Sequence, residues 1–312
     1  MNYFRTFGPI SDRLATLGWV LIIISLAVVL VVSVLVLVGV LRRGTHSFAP
    51  VARTGGGLRW IVIGGILVPV VILAAVFVFS IATQSAVASP ATRPELTVRV
   101  TGRQWWWEVQ YLDQSPGRIV ATTANEVHVP VGRPVKLEVV AADVIHSFWV
   151  PELAGKTDLI PGQRNVAWIQ ADHPGVYRGQ CAEYCGLQHA KMALLVVAQP
   201  PGEFQEWLAR QGRPAVPPAN ADTRAGEAVF TSSACALCHT IRGTTAAGVL
   251  GPDLTHLADR RAIAAGTLPN TRGSLAGWIA DPQRIKPGNL MPVVPLDGSQ
   301  LQVLVAYLQS LE

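Results

Sequence analysis

Two uncharged stretches constrain this 312-residue chain more than anything else in it: 28 residues from Leu14 to Leu41 and 23 from Trp60 to Ala82. A helix needs about 20 apolar residues to cross a bilayer, and lipid leaves the backbone no other hydrogen-bond partners, so both are expected to be transmembrane helices. A secretory signal core is only about 7–15 residues long, and no small-residue cleavage site follows the first run, so that helix is expected to be retained. Pro69 is expected to kink the second helix. Arg42, Arg43, Arg53 and Arg59 lie in or at the ends of the connecting loop, which the positive-inside rule puts in the cytoplasm. Both termini, and everything after about residue 85, then lie on the periplasmic or extracellular side. His46, in the same loop, reads as a solvated residue.

The net charge of +5 raises the question of nucleic acid, and its distribution answers it. Residues 1–89 hold six arginines and one aspartate, which accounts for the whole excess, while the rest of the chain is balanced. The positive charge is topological, and no nucleic-acid partner is expected. A hydrophobic content of 50% with 14% charged residues fits membrane association.

All four cysteines fall in two tight motifs. The first motif lies in Gly-Gln-Cys-Ala-Glu-Tyr-Cys-Gly-Leu-Gln-His-Ala-Lys-Met, residues 179–192, where Cys181, Cys185, His189 and Met192 stand close enough to converge. Soft thiolates, an imidazole and a thioether select copper, whereas a structural zinc would gain little from methionine. One histidine beside two thiolates leaves the site short of ligands. His146, in an apolar strand-like run, is the candidate to complete it. A Cys181–Cys185 disulfide is the alternative in an oxidising compartment, but it leaves His189 and Met192 without a reason.

The second motif, Cys235-Ala-Leu-Cys238-His239, reads as covalent haem c attachment: two thiols add to the haem vinyl groups and His239 becomes the proximal iron ligand. A methionine is a common second axial ligand. Met291 is the only methionine after Met192, and it sits between Pro and Gly residues on a stretch suited to reach across a haem. His256 is its rival.

Between the spans and the haem motif, short alternating or apolar runs at 96–100, 104–111, 126–130, 135–141, 165–171 and 193–197 are separated by Gly-, Pro-, Asp- and Asn-rich breaks, the pattern of an all-β sandwich. Within Trp105-Trp106-Trp107, strand alternation predicts that the outer two share a face and that at least one fills the core. His128 and His173 read as structural residues in strand and turn. Residues 202–210 are expected to form a short amphipathic helix inside a linker, 201–221, and helices are expected at 223–234 and 299–311.

His146 and the Cys181–Met192 cluster, with Ala-Asp-Val-Ile-His-Ser, Lys-Thr-Asp-Leu-Ile-Pro-Gly and Gly-Arg-Gln-Trp-Trp-Trp-Glu, resemble the copper A region of cytochrome c oxidase subunit II, from the first span to about residue 200. The resemblance implies a cupredoxin-like sandwich and a dinuclear copper A centre bridged by Cys181 and Cys185. His146 and Met192 would complete one copper, and His189 and the Glu183 carbonyl the other. It also implies electron entry at Trp105, and a magnesium ion on the Glu183 carboxylate at the contact with a catalytic subunit. Asp158 is a candidate acidic neighbour of that ion. Residues 222–312 resemble a class I cytochrome c, with Gly251-Pro252-Asp253-Leu254 supplying the Pro252 carbonyl that orients His239.

The expected architecture is therefore a transmembrane hairpin (1–89, helices about 14–41 and 60–82), an all-β cupredoxin-like domain (90–200), a linker (201–221) and an all-α cytochrome c domain (222–312). A subunit II with a fused cytochrome c resembles the caa-type haem-copper oxidases, proton-translocating complexes of the bacterial inner membrane. The resemblance implies electron flow from an external cytochrome or respiratory-complex donor through haem c and copper A to catalytic subunit I, accompanied by subunit III. No oxygen site is expected in this chain, whose spans hold no histidine. The copper A subunit of a nitrogen-oxide reductase is the alternative. In one respect the chain departs from the family: Leu58, Arg59 and Trp60 occupy the region where many members carry a glutamate associated with proton entry.

Overall fold

A computed structural model describes residues 4–42, 57–113 and 117–312. Arg43, His46 and Arg53 lie outside the described residues. By internal contacts the chain divides into Asp12–Ser89 and a second unit made of Met1–Ser11 with Pro90–Glu312.

The first apolar run is one helix, α1 (Pro9–Leu41). The second combines α2 (Gly57–Val62), a π-helical turn (Ile63–Leu67) and α3 (Val68–Val87), together long and apolar enough to cross a membrane. Pro69 falls in the first turn of α3, where its missing N–H costs little, and the π turn just before it changes the hydrogen-bond register. The side chains of both helices are exposed and apolar almost throughout, as lipid-facing surfaces are.

The second unit begins with ten strands: β1 (Leu96–Arg103), β2 (Trp106–Leu112), β3 (Ile119–Ala124), β4 (Glu126–Pro130), β5 (Val135–Ala141), β6 (His146–Trp149), β7 (Thr157–Leu159), β8 (Asn165–Ile169), β9 (Gly175–Cys181) and β10 (Ala193–Gln199). They form two five-stranded sheets, ordered β3-β2-β1-β5-β8 and β4-β10-β9-β6-β7. Alternation does the packing: Val98 and Val100 on β1, and Trp107, Val109 and Tyr111 on β2, are fully buried between the sheets. The strand β9 escapes sequence patterning because Gly175, Arg178 and Gly179 interrupt its apolar residues.

Trp107 is the largest of these core residues, with its ring 6.0 Å from Phe148 and 6.1 Å from His146. Its indole N–H is buried without an acceptor among the described residues. Trp107→Ala is expected to cost about 3–5 kcal/mol of stability, and Trp107→Phe much less, because the latter keeps ring volume and removes the unsatisfied donor. Denaturant unfolding of the purified chain, followed by near-ultraviolet circular dichroism, measures both.

The helix α4 (Pro201–Gln211) was expected within a linker; it packs on the sandwich instead. Phe204 and Trp207 are buried beside Tyr111, and Trp207 stacks on His128 at 3.8 Å. His128 also meets Gln199 Oε1 at 2.8 Å, and His173 lies edge-on to Phe7, so both histidines have structural partners.

The C-terminal part is helical: α5 (Ala221–Ser232), α6 (Cys235–Cys238), α7 (Arg272–Ala280), α8 (Pro282–Ile285) and α9 (Gly298–Leu308), with a small hairpin of β11 (Ala262–Ile263) and β12 (Leu268–Pro269). Capping boxes, Asn220 with Thr223 and Asp297 with Gln300, start α5 and α9. These two helices, expected at 223–234 and 299–311, bring Phe230, Leu304, Tyr307 and Leu308 into a core with Leu275 and Ile279 of α7. The sequence reading did not anticipate α7.

Candidate metal centre and haem cleft

The strand β9 ends at Cys181 and β10 begins at Ala193, so the remaining residues of the first cysteine motif form the connecting loop. Backbone bonds brace it: Cys181 N–H donates to Met192 O at 2.9 Å, Ala182 N–H to Ser147 O at 3.0 Å, and His189 N–H to Gly186 O at 3.1 Å. The two sulfurs stand 3.7 Å apart and both cysteines are free, so the disulfide alternative is not formed. Cys181 Sγ lies 3.9 Å from His146 Nδ1 and 3.2 Å from the Glu183 carbonyl oxygen. Cys185 Sγ lies 3.7 Å from His189 Nδ1 and 3.8 Å from Met192 Sδ.

Two ligands that each sit about 2.0–2.3 Å from a shared ion are themselves separated by distances of this order. The soft donor set and its spacing therefore fit copper. His146, Cys181 and Cys185 are all buried, and their ligand atoms lie within 4.8 Å of one another. Gly102 makes room for this: a Cβ there would stand 2.7 Å from the His146 ring.

The sequence reading assigned no role to Asp143, three residues before His146. Its Oδ1 lies 2.7 Å from His146 Nε2, leaving Nδ1 for the sulfurs. Burial opposes a charge on His146, but the Asp143 carboxylate and the Cys181 sulfur outweigh it and raise the pKa to about 8. Without metal the sulfurs split. A hydrogen bond from Cys185, opposed by burial, holds Cys181 down to about 3, and the resulting thiolate with burial pushes Cys185 up. The Glu183 carboxylate turns to Lys156 Nζ at 3.4 Å. Among the described residues it joins no cluster of three potential metal ligands. One carboxylate oxygen of Asp158 is buried without a partner among the described residues.

The second motif opens on a cleft of about 580 Å³, within the usual range for cofactor pockets. Cys235, Cys238, His239 and Met291 all line it, with Leu254, Leu257, Ile279, Leu304 and Leu308 as apolar wall. A carbonyl can only accept, so His239 Nδ1–H donates to Pro252 O at 2.8 Å and leaves the Nε2 lone pair available. Burial favours the neutral imidazole and keeps its pKa down. Gly251 allows this approach, since a Cβ there would lie 2.5 Å from the ring. Gln283 Nε2 donates to Met291 O at 2.9 Å and so pins the methionine segment. His256 is absent from the lining residues; its ring nitrogens face Glu312 O at 2.7 Å and Arg213 O at 3.0 Å.

The sandwich closes one side of this cleft with Gln104, Trp105, Trp106, Asn125 and Asp143. Trp105 precedes β2 and lies in a turn, so it does not share a face with Trp107 as strand alternation predicts. It lines the cleft while its indole N–H donates to the Cys185 carbonyl at 2.9 Å. Gln104 Nε2 donates to the same carbonyl at 2.8 Å.

A cupredoxin-like sandwich with a soft thiolate centre, joined to a helical domain with a Cys-x-x-Cys-His cleft and to two apolar helices, defines a membrane-anchored redox protein with two centres. Residues 115–199 match the family described as cytochrome c oxidase subunit II, periplasmic domain, and residues 223–312 match cytochrome c. The cytochrome c oxidase subunit 2 of Alkalihalophilus pseudofirmus is 36% identical over 252 residues, 79% of this chain and 71% of that protein. The Bacillus subtilis protein of the same name is 28% identical over 270 residues, 82% and 74% of the two chains. A crystal structure of the periplasmic domain of subunit II of cytochrome oxidase of Bradyrhizobium japonicum is 31% identical, with TM-score 0.36, over 39% of this chain and 96% of that one. The chain belongs to the cytochrome c oxidase subunit 2 family and carries a cytochrome c domain. These two domains imply copper A and haem c, and the family implies a catalytic partner subunit and a role in electron transfer.

Proposed function

We propose that the chain is the electron-input subunit of a terminal oxidase, taking electrons from an external donor at haem c and passing them through copper A to a catalytic subunit that reduces oxygen to water. When bound, the two groups supply one-electron redox centres. On this reading Cys181 and Cys185 would hold both coppers, with His146 and Met192 serving one and His189 and the Glu183 carbonyl the other. Cys235 and Cys238 would hold one haem covalently, with His239 and Met291 serving its iron. Residues 1–89 anchor the copper domain (90–200), the connecting piece (201–221) and the haem domain (222–312) on the periplasmic or extracellular side, with both termini there. Subunits I and III of a proton-translocating complex and a cytochrome donor are the partners. The magnesium expected on the Glu183 carboxylate at the contact with subunit I would have to displace Lys156, which pairs with that carboxylate at 3.4 Å.

The chain's own residues do the positioning. Asp143 holds His146 with Nδ1 toward the sulfurs, and Pro252 holds His239 with its free nitrogen available. The apolar cleft wall excludes water, which limits the reorganisation each transfer requires.

The observation that carries the reading is Trp105, which touches the cleft and the Cys185 peptide with one side chain. Trp105→Ala is expected to slow haem-to-copper transfer at least about tenfold, equivalent to about 1.4 kcal/mol of barrier. Flash photoreduction of the loaded chain, with absorbance followed at both centres, measures it. An unchanged rate at full copper and haem content would remove Trp105 from the route.

A further inference from the structure

Lys286, just after α8, is 3% exposed. Lysine is almost never so buried unless its charge is paired, yet among the described residues no carboxylate forms an ion pair with it. Its ammonium meets three backbone carbonyls instead: Lys191 O at 3.0 Å, Trp105 O at 3.2 Å and Ala264 O at 3.3 Å. Three donors have three acceptors, so the group is satisfied.

The three carbonyls belong to different parts of the site. Trp105 lines the cleft and bonds the Cys185 carbonyl, Lys191 lies in the turn that carries His189 and Met192, and Ala264 lies in the β11–β12 turn of the haem domain. The contacts around Lys286 run in both directions. Lys191 Nζ donates to Ile285 O and Gln188 Nε2 to Pro287 O, each at 2.5 Å, and Ala193 N–H donates to Ala265 O at 3.0 Å. On the other flank, the buried Glu126 of β4 accepts from the N–H groups of Arg261 and Ala262 at 2.7 and 3.1 Å. Turning the haem domain on the sandwich would strip a buried ammonium and a buried carboxylate of their partners.

We propose that Lys286 is a positioning residue that locks the haem domain onto the copper-ligand loop, fixing Trp105 beside the Cys185 peptide and setting a positive charge beside the turn that carries His189 and Met192. Transfer between the centres then needs no domain swing. Burial and the Lys191 charge bring the Lys286 pKa down to about 8 while the Cys185 sulfur opposes them, so the side chain is mostly charged at neutral pH. A buried cation on the Lys191 carbonyl, beside that turn, favours the more electron-rich, reduced form of a centre built there.

The inference rests on the functional reading above, and hydrogen exchange separates the two because it needs neither electron flow nor a partner. In the full-length wild-type chain, the Ala193 amide is expected to exchange as slowly as the core amide of Val196. Exchange at the rate of a surface loop would overturn the lock. In Lys286→Met, which keeps the apolar stem and loses the charge, the amides of Ala193, Arg261 and Ala262 are expected to exchange at least tenfold faster than in wild type. Haem-to-copper transfer should slow by at least tenfold, and the copper potential should fall. Wild-type exchange and potential in that variant would overturn the proposal. If Lys286→Met does not accumulate folded, the same readouts in Lys286→Gln decide. Failure of the electron route alone would appear as slow transfer in wild type with full protection.

Discussion

Cys185→Ser is expected to abolish the dinuclear copper centre while leaving haem in the chain. Cys185 Sγ lies within 3.8 Å of Cys181, His189 and Met192, so its loss removes the sulfur on which those three donors converge. A serine hydroxyl does not ionise near neutral pH and is a hard donor, which copper in a thiolate site disfavours. Loss of an outer partner typically costs about 10–100-fold in metal affinity, and loss of a bridging ligand should exceed that. The measurement is metal content with optical spectra. The wild-type chain should hold two coppers and one covalent haem with a near-infrared mixed-valence band, and the variant should lose the band and the copper while keeping the haem. One copper or one zinc in the wild type, without the band, would sink the dinuclear assignment.

Met291→Ala is expected to leave haem attached through Cys235 and Cys238 but to open the sixth iron position. A methionine sulfur raises the potential of such an iron, so the midpoint should fall by a sizeable part of the roughly 0.8 V that axial ligation spans. The reduced variant should bind carbon monoxide and show a high-spin spectrum, whereas the wild type should do neither readily. His256 offers no substitute, because both ring nitrogens face backbone carbonyls away from the cleft lining. An unchanged spectrum in Met291→Ala would assign the position to another ligand.

Most of the candidate ligands stood out in the sequence because their signal is local, whereas Met291, 52 residues beyond His239, stood out because methionine is scarce. Cys181, Cys185, His189 and Met192 occupy one loop, so their spacing alone limits how far apart they can be. Cys235, Cys238 and His239 lie on α6 and the residue after it. Two strands were harder to read. The edge strand β3 is held by its pairing with β2, and the glycine-broken β9 by β10 and β6 on its two sides, not by their own patterns. Trp105 was misread for a related reason. Alternation assumes a strand, and this residue lies in the turn before β2, where its direction is set by hydrogen bonds to Cys185, 80 residues away.

The sequence by itself determined the two apolar spans and the sandwich and cytochrome classes, and it singled out the candidate ligands of both centres. Each follows from the length of an apolar run, a short period or the spacing within one loop. Only the tertiary structure decided that Asp143 orients His146, that α4 belongs to the sandwich, that sandwich residues close one side of the haem cleft, and that Lys286 is buried among carbonyls 22 to 181 positions away. No local signal can announce such a lysine. Its place is settled by whether three distant backbone segments converge to replace the water it loses, which is a property of the packed chain.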